Sequence, residues 1–217
     1  MTFNAVIFDL DGTLLDTLQD LVNTLNSVLA LHHYPTHTLD ECRFLVGHGM
    51  RELVRKALPE GVGTEETIDR LLKDLMVEYA DNWMVNSRPY PGIAALLDAI
   101  TARQMKMAIL SNKVDHFTRL CADNLLKSWK FNVVMGHQDG IAHKPDPEGA
   151  LLVASMLGED PSAILYVGDS GIDMLTATRA GMYPLGVLWG FRPESELLEF
   201  GAKTLVQRPE EIIGMFD

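Results

Sequence analysis

The chain has 217 residues, 47% of them hydrophobic and 22% charged, a composition that excludes disorder and predicts one larger domain with a sizeable insertion. Its formal net charge of -12 argues against nucleic acid and anionic membranes as partners, because both select clustered Lys and Arg. The two cysteines do not have metal-ligand spacing, and the sequence shows neither a basic and apolar leader nor a long apolar run. These features predict a cytoplasmic protein.

The first predicted element is a buried strand over residues 5–8, an apolar run that ends where the sequence DLDGT begins at residue 9. Apolar residues at helical spacing follow, with capping signals at Asp16 or Thr17 and at Thr64. They predict helices and no strand over residues 16–84. We expect this stretch to form a small helical domain of its own, inserted after the first strand.

From about residue 85, strand and helix candidates alternate along the chain. Strands are predicted at 105–110, 132–135, 163–167, 185–188 and 204–206, and helices at 93–100, 114–126, 147–157 and 172–180. Alternation of this kind implies parallel strands joined by crossover helices, hence a doubly wound, Rossmann-like α/β sheet. We assign residues 1–15 and 85–217 to this core domain and residues 16–84 to the helical insertion.

Polar residues follow three of the predicted strands. Asp9, Ser111 and Asp169 each come directly after an apolar run. Because the carboxyl ends of parallel strands share one edge of a sheet, we expect these residues to meet there, close to Asp173 and Lys144. Each residue alone also fits a turn, a helix cap or a surface position. Carboxylates, a hydroxyl and a lysine brought together are suited to phosphoryl transfer.

The order of these residues along the chain resembles the four motifs of the haloacid dehalogenase superfamily. The motifs are Asp9-Leu10-Asp11-Gly12-Thr13, Ser111-Asn112-Lys113, Lys144-Pro145 and Gly168-Asp169-Ser170-Gly171-Ile172-Asp173. The helical insertion sits where that superfamily carries a small helical cap. The segments 143–147 and 190–193 are similar to the phosphoglycolate phosphatase-like branch. The resemblance therefore implies an α/β core with an inserted all-helical cap domain.

The resemblance also implies a role for each motif residue. Asp9 would be the nucleophile that forms an aspartyl-phosphate, and Asp11 the general acid and base. The cofactor would be Mg²⁺, bound by Asp9, by Asp169 and by the backbone carbonyl of Asp11, while Asp173 would act through water or orient these ligands. The residues expected to bind phosphate are Thr13, Ser111, Asn112 and Lys144.

The expected activity is Mg²⁺-dependent hydrolysis of a small phosphorylated metabolite, with 2-phosphoglycolate as the leading candidate. Asp11 argues against a haloacid dehalogenase, which lacks this second carboxylate, and Asp20 stands where sugar phosphomutases of the branch usually carry a histidine. A pyrophosphatase, a sugar-phosphate phosphatase and a phosphomutase stay open as alternatives. A non-catalytic phospho-receiver is disfavoured, because the chain is long and an inserted domain suits closure over a substrate.

Substrate choice is expected to depend on the helical insertion. His48 lies in a glycine-flanked turn between two predicted helices, and Arg51 lies one turn into the second of them. Either side chain could donate hydrogen bonds to the carboxylate of phosphoglycolate. In the alternative interpretation, Gly47 ends a helix and Arg51 is an ordinary solvated residue.

Overall fold

The computed structural model of the chain describes residues 2–216. Six strands form one parallel sheet, and two very short strands pair antiparallel beside it. The strands are β1 (Ala5–Phe8), β2 (Leu15–Asp16), β3 (Arg88–Pro89), β4 (Lys106–Val114), β5 (Val133–His137), β6 (Ile164–Gly168), β7 (Tyr183–Val187) and β8 (Thr204–Val206). Their order in the main sheet is β5-β4-β1-β6-β7-β8, so β1 lies near its middle.

Helices cover both faces of this sheet. They are α1 (Leu18–Leu31), α2 (Leu39–Leu45), α3 (Met50–Ala57), α4 (Glu65–Asn82), α5 (Ile93–Ala102), α6 (Asp115–Leu125), α7 (Glu148–Leu157), α8 (Gly171–Arg179), α9 (Glu194–Glu199) and α10 (Glu210–Ile213). Within β1, Val6 and Phe8 belong to one apolar cluster with α5 and α10, whereas Ala5 and Ile7 belong to another with α7 and α8. Successive residues of a strand face opposite sides, so both faces of the sheet are buried. The predicted doubly wound α/β fold is confirmed.

Helices α1 to α4 pack on one another around a third apolar cluster. Its members include Leu25 and Leu71, and two residues of the sheet layers, Phe117 and Phe191, join it. Helix α4 begins after Thr64, whose side chain accepts a hydrogen bond from a backbone N–H of the first turn. We propose that these helices form the cap domain expected from the sequence, and we call residues 16–84 the proposed cap.

Two predicted details are wrong. Strand β4 does not end at residue 110 but continues through Ser111 to Val114, with a shift of register against β5 after Leu110. Its polar side chains remain in the strand because they are buried among hydrogen-bond partners. Strand β2 extends by one residue, Asp16, into the stretch predicted to contain no strand, and it pairs with β3; both strands are too short to produce a periodic pattern. Among residues 2–216, no helix is long and apolar enough to cross a membrane.

Candidate active site

The carboxyl ends of β4, β1 and β6 meet at one edge of the sheet, and the predicted site residues gather there. Asp9 follows β1 and Asp169 follows β6, while Ser111 lies inside β4. Lys144 comes from the loop before α7, and its Nζ lies 2.8 Å from Asp9 Oδ1. These four residues line a cavity of about 60 Å³ between the sheet and the proposed cap. The structure thus brings the central residues of the predicted site together.

Lys144 is buried and joins two carboxylates. Its Nζ lies 2.8 Å from Asp9 Oδ1 and 2.7 Å from Asp173 Oδ1. Burial opposes the charge on Lys144, but Asp173 and Asp9 outweigh this effect and hold the pKa of Lys144 well above its usual value. The side chain of Asn112 fixes the loop, because its Oδ1 accepts from Lys144 N at 2.8 Å and its Nδ2 donates to Lys144 O at 3.0 Å. The lysine is therefore held in place as a fixed positive charge.

Three buried carboxylates come close together beside the cavity, and two of them, Asp9 and Asp169, line it. Asp9, Asp169 and Asp173 each offer an oxygen, and these oxygens all lie within 4.8 Å of one another. Burial raises the pKa of Asp9 to about 7. Burial, and then the charges of Asp173 and Asp9, raise the pKa of Asp169 well above its usual range. One lysine does not balance three such groups, so this donor set fits a hard divalent cation with oxygen ligands.

The surroundings of Asp169 explain two glycines of the sequence. Asp169 Oδ2 accepts a hydrogen bond from Phe191 N at 2.7 Å, and Thr13 Oγ1 lies 3.4 Å from Asp169 Oδ1. A Cβ atom on Gly12 or on Gly190 would overlap the Asp169 side chain. Gly12 also has a φ of 88°, a conformation that favours glycine. Both loops can therefore pack closely around this carboxylate only with glycine at these positions.

Asp11 lies apart from the acidic cluster and has its own partners. Thr17 Oγ1 donates to Asp11 Oδ1 at 2.7 Å, and Lys113 Nζ lies 3.1 and 3.2 Å from the two carboxylate oxygens. Lys113 also donates to Tyr79 Oη at 2.7 Å. Burial disfavours the charge on Lys113, but Asp11 outweighs it, so the pKa of Lys113 lies above its usual value. The sequence pattern contains Lys113 in its second motif, yet it assigns no role at the site to Lys113 or Tyr79, and it gives Thr17 only the role of a possible helix cap.

The other residues predicted to bind phosphate differ in their surroundings. Ser111 lines the cavity beside Lys144. Asn112 also lines it, but its amide is engaged by backbone groups, so we expect it to support the loop rather than to bind phosphate. Thr13 is fully buried, and its hydroxyl faces Asp169 instead of the cavity. The structure therefore leaves Ser111 and Lys144 as the candidates for direct phosphate contact.

The two residues predicted to select the substrate do not line the cavity. Arg51 forms ion pairs with Glu65 at 2.6 Å and Asp69 at 2.7 Å on the surface of the proposed cap. His48 is exposed, with its Nδ1 3.2 Å from Lys56 Nζ. Helix α3 turns its apolar face toward the cavity, so its charged face points away. The expectation for Arg51 is corrected: it is a solvated helical residue.

A different arginine reaches the cavity. Arg192, in the loop after β7, is buried and donates to the backbone carbonyls of Arg43 and, at 2.8 Å, of Val46 at the end of α2. Its Nε lies 3.4 Å from Glu196. A guanidinium carries five N–H donors, more than these contacts engage. The apolar residues that line the cavity with Arg192 are Leu21, Val46, Met50, Leu53, Ile172 and Phe191.

Comparisons with known proteins agree with this geometry. The family model for haloacid dehalogenase-like hydrolases matches residues 6–187. An N-acetylmuramic acid 6-phosphate phosphatase of Pseudomonas aeruginosa is 33% identical, over 100% of this chain and 96% of its own length. Phosphoglycolate phosphatase 1 of the same organism is 34% identical, over 98% of this chain and 79% of its own length. The crystal structure of a proposed phosphoglycolate phosphatase from Lactobacillus delbrueckii superimposes with a TM-score of 0.93 at 28% identity, covering 100% of this chain and 99% of that one.

Proposed function

Because the chain belongs to the haloacid dehalogenase-like hydrolases, and is a phosphoric monoester hydrolase among them, we propose that it uses Mg²⁺ to hydrolyse the phosphate ester of a small carboxylic acid. The leading substrate is 2-phosphoglycolate. The observation that carries the proposal is the contact between Asp9 and Lys144 at the wall of a cavity that Asp169 of the acidic cluster also lines. The cytoplasmic location expected from the sequence stays a prediction.

In the proposed reaction, Asp9 attacks phosphorus and the bond from phosphorus to the leaving oxygen breaks, which forms an aspartyl-phosphate. Asp11 in its protonated form gives its proton to the leaving oxygen, and it regains a proton from the water that releases phosphate. Ser111 and Lys144 hold the non-reacting oxygens, and Lys144 offsets charge on both phosphate and nucleophile. Mg²⁺ bound by the acidic residues of this edge would supply further charge stabilisation.

The side chains that line the rest of the cavity favour a leaving group that carries a carboxylate. Arg192 lines the cavity together with six apolar side chains, and a guanidinium suits a carboxylate. Glycolate and N-acetylmuramic acid, the acids named for the two curated relatives, both carry one. The cavity holds about 60 Å³ for water-sized molecules, and glycolate is the smaller of the two acids, so 2-phosphoglycolate is the leading candidate. N-acetylmuramic acid 6-phosphate is the second candidate and would need the proposed cap to open further.

A phosphomutase, a pyrophosphatase and a phospho-receiver receive less support from the site. Asp20, at the position where mutases of the branch usually carry a histidine, is buried and engaged by hydrogen bonds from Asn86 and Ser87, so it is not free to transfer a proton to a sugar. Pyrophosphate offers neither a carboxylate to Arg192 nor carbon atoms to the apolar wall. A phospho-receiver would have no use for a cavity closed by an inserted domain.

The test is phosphate release by the purified chain with Mg²⁺ from five compounds: 2-phosphoglycolate, N-acetylmuramic acid 6-phosphate, glucose 6-phosphate, pyrophosphate and p-nitrophenyl phosphate. We expect the highest kcat/KM for 2-phosphoglycolate and no release in the presence of EDTA. A higher kcat/KM for the sugar acid would replace the leading substrate by the second candidate. Release from none of the five compounds would contradict the proposed function.

A further inference from the structure

Hydrogen bonds connect three side chains in a row from the proposed cap to Asp11. Tyr79 lies in α4, Lys113 in β4, and Asp11 after β1. Lys113 Nζ donates to Tyr79 Oη at 2.7 Å and to the two oxygens of Asp11 at 3.1 and 3.2 Å. The side chain of Lys113 is 1% exposed, and Tyr79 is fully buried. All three N–H donors of the lysine thus have partners, which fixes its position.

The carboxylate of Asp11 is oriented from two sides, and both sides are linked to the proposed cap. Thr17, which donates to Asp11 Oδ1 at 2.7 Å, is the residue directly before α1. Lys113 belongs to the sheet, but Tyr79 contacts it from α4. The orientation of Asp11 therefore depends on groups that arrive with the helices as well as on the sheet itself.

Tyr79 is seated firmly against the sheet layer. Its ring meets Phe117 of α6 edge to face, with centroids 4.9 Å apart and an interplanar angle of 79°. Lys113 Nζ lies 4.8 Å from the centroid of the Tyr79 ring, at the edge that carries the hydroxyl group. If α4 moved away from α6, Lys113 would lose its hydroxyl partner, and water would reach its pair with Asp11.

We propose that Lys113 is a positioning residue for Asp11, and that Tyr79 makes this positioning depend on docking of the proposed cap. The inference rests on the proposed function, in which Asp11 protonates the leaving oxygen. Its consequence is that proton transfer becomes effective only while the cavity is closed. A purely structural role, in which Lys113 balances a buried charge and Tyr79 fills space, would not distinguish between leaving groups.

Leaving groups of different basicity separate the two roles. A glycolate leaving group needs a proton as the bond to phosphorus breaks, whereas p-nitrophenolate leaves readily without one. The value of kcat/KM reports the steps up to transfer of phosphate to Asp9, so it is sensitive to the acid role of Asp11 alone. Misplacing Asp11 should therefore lower kcat/KM for 2-phosphoglycolate much more than for p-nitrophenyl phosphate.

The experiment compares Tyr79→Phe, Lys113→Met and the double variant, with Tyr183→Phe as the matched control. Tyr183 also has a hydroxyl in a hydrogen bond, with Thr204 at 2.9 Å, but it lies in β7 and not at the cavity. Tyr79→Phe keeps the ring and its packing, so we expect a folded protein with an unchanged melting temperature.

For Tyr79→Phe we expect kcat/KM for 2-phosphoglycolate to fall about tenfold, and that for p-nitrophenyl phosphate to fall less than about threefold. Lys113→Met should lower kcat/KM for 2-phosphoglycolate about 100-fold. The double variant should lower this value by no more than a further factor of about two, because Tyr79 acts through Lys113. Lys113→Arg should retain more of the wild-type kcat/KM for 2-phosphoglycolate than Lys113→Met does. Tyr183→Phe should leave kcat/KM unchanged for both substrates.

Equal losses with the two substrates, or additive losses in the double variant, would overturn the inference. Where Lys113→Met fails to fold, the substrate ratio of Tyr79→Phe decides alone. A wild-type chain that hydrolyses neither compound would instead overturn the proposed function, so the two failures are distinguishable.

Discussion

Replacing Asp20 by alanine is expected to weaken the junction between the proposed cap and the sheet. Asp20 is buried in the first turn of α1. Its carboxylate accepts hydrogen bonds of 2.7 to 2.9 Å from the backbone N–H groups and the side chains of Asn86 and Ser87. These residues lie directly before β3, which pairs with β2. The carboxylate thus joins the first turn of α1 to the linker that leads into β3.

The expected loss of unfolding free energy can be worked out from the N–H and O–H groups that lose the Asp20 carboxylate as their acceptor. A hydrogen bond to a charged group contributes roughly 1.5–3 kcal/mol, and a buried donor left without a partner costs roughly 1–3 kcal/mol. Ser87 is buried, whereas Asn86 is partly exposed and could turn to water. We therefore expect Asp20→Ala to lower the free energy of unfolding by about 3–5 kcal/mol at pH 7, less than the sum of the separate contributions.

The effect should depend on pH with a definite sign. Burial opposes the charge on Asp20, but hydrogen bonds from Ser87 and Asn86 outweigh it and lower the pKa of Asp20 in the folded chain. A lowered pKa stabilises the fold above the unfolded value of about 3.9, and this contribution is lost as the pH falls through the folded value. The difference between wild type and Asp20→Ala should therefore be constant from pH 7 to about 5 and shrink toward pH 3.

Urea unfolding at pH 7 and pH 3 measures this difference. Asp123→Ala, which removes an exposed carboxylate on α6, is the matched control and should stay within about 0.5 kcal/mol of wild type. A loss for Asp20→Ala below about 1 kcal/mol at pH 7 would refute the reasoning. So would a difference of the same size at both pH values.

Three further predictions concern the cavity. Gly190→Ala should lower the melting temperature and weaken Mg²⁺ binding, because its methyl group would overlap Asp169; Gly214→Ala, with no neighbouring atom within 4 Å, should do neither. Asp169→Asn should weaken Mg²⁺ binding at least about tenfold in calorimetric titration, and unchanged binding would remove it from the ligand set. Arg192→Ala should raise KM for 2-phosphoglycolate about tenfold and for p-nitrophenyl phosphate less than about twofold, while Arg51→Ala changes neither. A similar rise for both substrates would exclude Arg192 as the carboxylate-binding group.

Residues at the ends of apolar runs could be found from the sequence. Asp9 and Asp169 directly follow buried strands, and parallel strands end at the same edge, so their proximity depends only on local pattern and sheet topology. Ser111 was predictable in the same way, although the strand that carries it is longer than its apolar run. The fold class follows from the alternation of strand and helix patterns alone.

Residues whose role depends on how the helices dock could not be found in this way. Arg51 and the apolar residues of α3 share one helix, and only the docked orientation decides which face meets the cavity. Tyr79 has the spacing of an ordinary core residue of α4, and nothing local to it indicates a hydrogen bond to a lysine 34 positions later. Arg192 binds carbonyls at the end of α2, about 150 positions earlier in the chain. Such contacts are set by tertiary packing.

The central claim is that Asp9 is the nucleophile of a Mg²⁺-dependent hydrolysis of 2-phosphoglycolate. The most direct measurement is a rapid-quench single turnover of wild type and Asp9→Asn with Mg²⁺, followed by mass spectrometry of the peptide that contains Asp9. We predict a transient phosphate group on this peptide in wild type, and for Asp9→Asn an unchanged melting temperature with no phosphate release. Turnover by Asp9→Asn at near the wild-type rate, or a wild-type turnover with no phosphate on this peptide at any time point, would contradict the claim.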